Sequence, residues 1–537
     1  MFLLQASTTA LYSVADLQLI APELILTVCA CVVLVMSVLL PRSENRVAGY
    51  FALMGLALAG VSVAVLGWPV VAALLREIPL LGRLVSEQTT SAPALVGFYG
   101  TVRVDGFAIV FKLIFLIAAA LTVAISLRYL DEEDEQRGEY YALVMFATTG
   151  MMFLASGYDL IVLYISLELM ALTFYVLVAY TKRRRRSNEA GMKYFLLGAF
   201  SSGILLYGMS LLFGVAGSTN IGQIAPGVVK ALMATAEGPT ELRPMVLLAM
   251  IALAAGLFFK ISAVPFHMWA PDAYEGAPTP ITAFLSTGSK AASFALFARI
   301  FVDGLGGLRV DWAPLLALVA AVTIMVGNWA AVTQHNSKRL LAYSSISNAG
   351  YLLLGLVAGN REGYIGLTVY IIVYVFMNIG AFGIIISLRR RGIIGDEVED
   401  FAGLGQKAPG MALMMAIFML SLGGLPLTGG FMGKWFLFSG LFERARVDGA
   451  NWYYYLAVWA ALNTVVSFYY YVRFIRAMYL GDRAADARPL SLSPSLNIAL
   501  AVCVGGVVFI GVYPQPVIRM AETLISALAT GGALALR

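Results

Sequence analysis

Glu168, in LIVLYISLELMALTFYVLVAY, and Lys260, in LLAMIALAAGLFFKISAVPF, are ionisable residues inside runs that are otherwise almost wholly apolar. Lys290 (PITAFLSTGSKAASFALFARI) and Lys434 (SLGGLPLTGGFMGKWFLFSGL) repeat the pattern, and Lys193 (GMKYFLLGAF) lies nearer the end of its run. An ionisable group in the hydrocarbon region of a bilayer costs at least a few kcal/mol and persists where ions move or where charges pair. Lysine suits proton carriage because its affinity for a proton can be moved far: desolvation weakens it and a nearby carboxylate restores it. A carboxylate that approaches and retreats therefore loads and unloads the amine. Glu168 is the only acid near the middle of a span in its part of the chain, so a buried Glu168–Lys260 pair, direct or through one water, is expected as the gate. Lys290 would receive the proton through water, and Lys434 is the matching station further along. Three mid-depth lysines against one acid leave charge uncompensated, which argues against a set of static ion pairs.

The elements that must hold these residues are membrane helices. The chain of 537 residues is 60% hydrophobic and 12% charged, about half the charged fraction of a soluble domain, with a mean hydropathy of +0.84. Apolar runs of about 20 residues, each able to cross a bilayer, succeed one another from residue 17 to residue 515. About 14 spans are expected, near 17–40, 47–67, 106–129, 139–157, 159–181, 190–215, 243–263, 280–304, 312–334, 340–358, 363–388, 410–441, 452–480 and 494–515. The fold class is all-α and polytopic. The N-terminal MFLLQASTTALYSVAD lacks the basic region of a cleaved signal peptide, so the first span is expected to be retained.

Lys and Arg concentrate in the loops on one side of this alternation, among them Arg42 and Arg46, Lys182–Arg186, Lys338–Arg339 and Arg389–Arg391. That places these loops in the cytoplasm and both termini outside. The KRRRR run is a topology signal, so no nucleic-acid partner is expected. DEEDE at 131–135 reads as a solvated loop or a partner contact. Residues 68–105 form the longest outside connection and suit a hairpin or a short surface helix.

Two runs are too long for one straight span. From 243 to 275 the chain stays mostly apolar but is interrupted at Pro265; from 410 to 441 it is interrupted around Gly423, Gly424, Pro426, Gly429 and Gly430. Proline removes a helical hydrogen bond and clashes with the preceding turn, so both read as broken helices, with breaks near Ser262–Pro265 and Gly423–Gly430. Interrupted helices in corresponding positions point to an inverted repeat with the ion site at the breaks. The expected organisation is helices 1–3 with a long outside loop over 1–138, a first inverted five-helix repeat over 139–304, a second over 305–480, and a last helix over 481–537.

The remaining chemistry-bearing residues have simpler readings. His267, two residues past Pro265, is either a proton shuttle or a cap for backbone groups freed at the break. Lys193 faces water or snorkels, and Lys112 snorkels or meets a lipid headgroup. Arg299 anchors the outer end of its span. His335 is solvated in its loop, and Tyr453–Tyr455 and Tyr469–Tyr471 form interfacial belts. Cys29, Cys31 and Cys503 are inert small hydrophobes. There is no CxxC, GxGxxG or P-loop, so no metal, haem or nucleotide site is expected.

SLELMALTFYVLVAY, NEAGMKYFLLGAFSSGILLYGMSLLFG, FKISAVPFHMWAPDAYEGAPTPITAFLSTGSKAA, KRLLAYSSISNAGYLLLGLVAG, FMNIGAF and SLGGLPLTGGFMGKWFLF together closely resemble the subunit N family of bacterial respiratory complex I, the proton-pumping NADH–quinone oxidoreductase. The photosynthetic complex I subunit 2 is similar too. The family belongs to the antiporter-like subunits. The resemblance covers roughly residues 100–480. It implies that Glu168, Lys260, Lys290 and Lys434 are the proton-channel residues, with Lys193 on the cytoplasmic side and His267 a secondary candidate. Lysine at 434 favours N over the sister subunit M, which typically has a glutamate there. Many members read SSISH where this chain has Asn348, so the resemblance carries no proton role to that position. It further implies that NAD, FMN, Fe–S clusters and quinone bind other subunits, that subunits K and M are the neighbours, and that the protein lies in the bacterial inner membrane, or in a thylakoid if photosynthetic. The rival reading is a subunit of a multi-subunit sodium/proton antiporter.

Overall fold

A computed structural model describes residues 14–41, 46–78, 94–133, 135, 138–234, 242–388, 396–481 and 493–531. Helices occupy all fourteen expected positions. We label them α1 (Ala21–Leu39), α2 (Arg46–Leu66), α3 (Gly106–Glu132), α4 (Gly138–Ser156), α5 (Leu160–Val178), α6 (Arg185–Ala216), α7 (Leu242–Ile261) and α8 (Trp269–Gly276). A continuous rod, α9, runs over 279–304. It joins Thr279–Phe284 and Lys290–Phe297 through a π-helical turn Leu285–Ser289 and ends in a second π-helical stretch, Ala298–Gly304. Then follow α10 (Arg309–Val332), α11 (Ser337–Ala358), α12 (Arg361–Leu388), α13 (Pro409–Gly423), α14 (Gly429–Asp448), α15 (Trp452–Leu480) and α16 (Pro494–Val512). Ten of the described helices are each long and apolar enough to cross a membrane.

Local chemistry sets the ends. Asp159 caps α5 by accepting from the Ile161 N–H at 2.8 Å, and Asn336 caps α11 by accepting from Lys338 and Arg339. Such side chains satisfy the N–H groups that a helix start leaves without partners. The core sits around α11 and α12, whose apolar windows are 94% buried, against 28% for α1 at the periphery. α7 packs on α6, α10 on α11, and α12 on α14.

Both expected breaks are present. α7 stops at Ile261; Ser262 adopts φ +61°, the Val264–Pro265 bond is cis, and α8 starts at Trp269. α13 stops at Gly423; Gly424 (φ +84°) and Leu427 (φ +72°) carry the turn, and α14 starts at Gly429. Positive φ favours glycine, which Gly424 supplies. Gly430 is required for a different reason: a Cβ there would overlap the Ser421 carbonyl oxygen.

The outside connection contains both of its alternatives, a helix at Trp68–Arg76 and an antiparallel hairpin pairing Leu95–Gly97 with Val102–Val104; residues 79–93 lie outside the described ones. The sequence reading missed two further helices, Ile221–Ala234 and Gln515–Gly531. The acidic run is not simply solvated: Asp131 pairs with Arg46 and Glu133 with Arg184.

Candidate functional site: a line of buried lysines

Lys260 is the penultimate residue of α7, beside the first break, and is 3% exposed. Its Nζ has no hydrogen-bond partner among the described residues. It lies 5.9 Å from the ring centroids of Tyr175 and of Phe259, so aromatic faces supply its nearest compensation. Glu168, on α5, does not meet Lys260 directly, which leaves the water-bridged form of the expected pair. Glu168 is half-buried, and its Oε1 is buried without a partner. The reason is geometric: the aromatic rings of Tyr175 and Phe259, not a carboxylate, flank the ammonium.

Lys290 begins the second α-helical part of α9, directly after the π turn. A π turn inserts a residue into the helical ladder and recurs at functional sites. The Lys290 Nζ donates to the Ser345 carbonyl and to Ser345 Oγ, both at 2.6 Å. Tyr274 on α8 shares that hydroxyl at 3.2 Å. Lys434, on α14, turns back to the second break: its Nζ donates to Leu422 O at 3.0 Å and Gly423 O at 3.4 Å. These are carbonyls at the end of α13, where no further turn donates to them. The Tyr351 ring lies 4.7 Å from the same Nζ.

One helix therefore carries contacts of both distal lysines. Ser345 and Tyr351 are six residues apart on α11, about 9 Å along its axis. Between them Asn348 accepts from Tyr370 at 2.8 Å and reaches Ser344 Oγ at 3.4 Å; Ser344 also meets Tyr471 at 2.5 Å. Nearby, Tyr470 donates to Asn328. Sequence reasoning missed this polar ladder. The available signal was YSSISNAGY: α11 has the lowest mean hydropathy of the ten spans, 1.4, yet is among the most buried.

The secondary candidates divide. Lys193 is half-exposed and held at 2.8 Å by both Glu189 and Asp272, so it is paired as well as water-facing. Asp272 also binds Arg339 at 3.0 Å. His267 lies half-buried in the first break with Nδ1 unpartnered, while in the second break Thr428 donates to the freed Leu425 carbonyl. His335 is exposed.

Three readings are corrected. Lys112 neither snorkels nor meets lipid: it is fully buried and 2.6 Å from the equally buried Glu23 of α1. Arg299 does not anchor at an interface. Its guanidinium is buried between Asp105 and Asp303, with contacts of 2.8 Å to each, and also donates to Ala155 O. Tyr470 and Tyr471 are buried in the polar network, so the second tyrosine cluster is not a belt.

Among the described residues, no group of three or more His, Cys, Asp or Glu side chains could hold a metal ion.

Residues 157–458 match the family described as NADH:quinone oxidoreductase/Mrp antiporter, TM. NADH-quinone oxidoreductase subunit N 2 of Solibacter usitatus is 51% identical over 433 residues, covering 81% of this chain and 85% of that one. Subunit N 1 of Koribacter versatilis is 46% identical over 514 residues, 95% of each chain. The chain belongs to the subunit N family of NADH-quinone oxidoreductase.

A chain in the structure of respiratory complex I from Thermus thermophilus with bound aureothin is 32% identical, with a TM-score of 0.72 over 93% of this chain and 98% of that one. A chain of the Mrp complex from Dietzia sp. shares the fold (TM-score 0.73, over 96% of this chain and 98% of that one) at 20% identity. Within the subunit N family, the sequence-expected lysines of this chain are the ones found buried along the α7–α9–α14 line. The ladder on α11 is an addition that the structure brings to them.

Proposed function

We propose that Glu168, Lys260, Lys290 and Lys434 are the proton relay of this chain. The chain is a proton-translocating, antiporter-like membrane subunit of the complex I kind. The supporting observation is that three lysines, each at most 3% exposed, lie on buried helices with no ion-pair partner among the described residues; two of them rest on one polar helix. A buried ammonium without a counter-charge is expensive, so a group that gains and loses its proton fits better than a permanently charged one. Protons would be exchanged between Glu168 and Lys260, pass to Lys290, and follow the Ser345–Tyr351 stretch of α11 to Lys434.

The two five-helix units, 139–304 and 305–480, would each contribute one broken helix to this line. Electron transfer to quinone in other subunits would supply the energy, with NAD, FMN, Fe–S clusters and quinone bound there and none in this chain. Subunits K and M would be its neighbours, the bacterial inner membrane its location, and both termini outside. Relatives at 40–51% identity carry the name of subunit N, which supports this reading over a sodium/proton antiporter subunit. Purification with iron–sulfur and flavin subunits, rather than with small antiporter subunits, discriminates the two.

The test is a double-mutant cycle in the assembled complex. Glu168→Gln and Lys260→Ala should each lower proton pumping strongly, and the double variant should be little worse than either, as for groups acting as a unit. Additive losses, or normal pumping in both single variants, would refute the relay.

A further inference from the structure

A cleft of about 780 Å³ opens between α4, α5 and α6 on the side of the basic Lys182–Arg186 loop. Its mouth is polar, lined by Glu139, Lys182 and Asn188; its walls are apolar, with Leu172 and Phe195; Tyr175 also lines it. Tyr175 lies in the last turn of α5, three residues before its end at Val178. Glu168 is a further seven residues along the same helix, which is two turns and nearly the same face. Side chains on a helix lean toward its N-terminus, so the tyrosine leans from the cleft toward the level of Glu168.

The polar groups at this inner end lack partners. Among the described residues, the Tyr175 hydroxyl, Glu168 Oε1 and Lys260 Nζ are all buried without a hydrogen bond. Tyr175 itself is 6% exposed. Its ring faces Lys260 at 5.9 Å, and the charge of Glu168 reaches it. Buried polar groups are nearly always satisfied by protein or by ordered water. Several orphans around one tyrosine are therefore a place for water, at the end of a cleft with a charged mouth. Gly198 on α6 makes room for the hydroxyl: a Cβ there would overlap it.

We propose that this cleft is the proton inlet to Glu168 and Lys260, and that the Tyr175 hydroxyl closes its inner end as the group through which protons cross. This rests on the relay reading above. The hydroxyl oxygen accepts a proton from water on the cleft side as its own O–H proton leaves to water or carboxylate on the inner side. One O–H bond forms as another breaks, so no tyrosinate accumulates.

The experiment uses the intact complex in membrane vesicles with the basic loops facing out. Tyr175→Phe keeps the ring that packs on Tyr194 and Phe195 and removes only the hydroxyl. It should slow pumping by about tenfold or more and shift the pH profile of the remaining rate. Gly198→Ala, which displaces the hydroxyl without removing it, should do the same to a smaller degree. A cysteine at Leu172 should react with a membrane-impermeant cationic thiol reagent, and its modification should block pumping, while the same reagent leaves the wild-type complex active. Wild-type rate and pH profile in both Tyr175→Phe and Gly198→Ala, or a Leu172→Cys side chain that a lipid or neighbouring subunit shields from reagent, would overturn the inlet. Glu168→Gln is run alongside. If it stops pumping while Tyr175→Phe does not, the inlet alone is wrong; if Glu168→Gln also pumps normally, the relay reading falls.

Discussion

The two helix breaks look alike in sequence and differ in what their lysines do. At the second break Lys434 donates to the Leu422 and Gly423 carbonyls, and Gly424 takes up the positive φ. The turn and the lysine complete each other. At the first break Lys260 has no partner, Ser262 Oγ and His267 Nδ1 are unpaired as well, and a serine holds the positive φ. One break is closed by its own lysine; the other leaves its polar groups for something else to satisfy. A hydrogen-bonded buried amine has a reason to stay where it is, whereas an unbonded one is free to respond to a carboxylate or to water. In the proposed relay, the first break would be the one that loads a proton and the second the one that holds it.

Four substitutions probe that contrast, in order of expected size. Gly430→Ala should be the most damaging to structure, by about 3 kcal/mol, because its Cβ meets backbone rather than a movable side chain. It should appear as loss of this subunit from the solubilised complex at a lower temperature than in wild type. A wild-type midpoint would mean that the second break is not closely packed.

The next comparison is one of sign. Lys434→Met orphans two buried carbonyls and should lower the same midpoint, at roughly 1–2 kcal/mol net. Lys260→Met removes a buried amine with no hydrogen bonds to protein groups to lose, so it should leave the midpoint unchanged or raise it by up to about 1 kcal/mol. Pumping should fall in both. Equal destabilisation by the two would erase the distinction between the breaks.

The smallest effect is expected at Ser262→Gly, which relieves a left-handed serine at the first break. The relief is partly offset by the freedom glycine has in the unfolded chain, leaving a gain below about 1 kcal/mol. A clear loss of stability there would show that the serine side chain contributes something its geometry does not reveal.

The breaks were legible because proline and clustered glycine act locally, within a turn of where they stand. The lysines were legible because a charge in an apolar run is conspicuous wherever the chain folds. What could not be read was which side chain meets which. Arg299 finds Asp105 across 194 residues, and nothing near residue 299 announces it. Lys112 and Glu23 pair between helices that are far apart in the chain. The missing Glu168–Lys260 contact depends on where the rings of Tyr175 and Phe259 sit. The α11 ladder is built from serine, asparagine and tyrosine, which pass unnoticed in membrane helices until packing faces them inward. The helix at Gln515–Gly531 lay just past the last span and drew no attention, because its apolar residues do not make a membrane-length run.

α8, only eight residues long, touches more of this machinery than its size suggests. Trp269 at its start donates to the Phe259 carbonyl, one residue from Lys260. Tyr274 near its end shares Ser345 with Lys290. Its outer flank is tied by Asp272 to Lys193 and Arg339, and by Glu275 to Arg339 and Arg186. It is a yoke: a rigid crosspiece with one arm at each of two lysines and its shaft in the charged surface. A tilt of the crosspiece must strain or release both arms together. The surface charges on Asp272 and Glu275 and the surroundings of two deeply buried amines are therefore joined through one short helix.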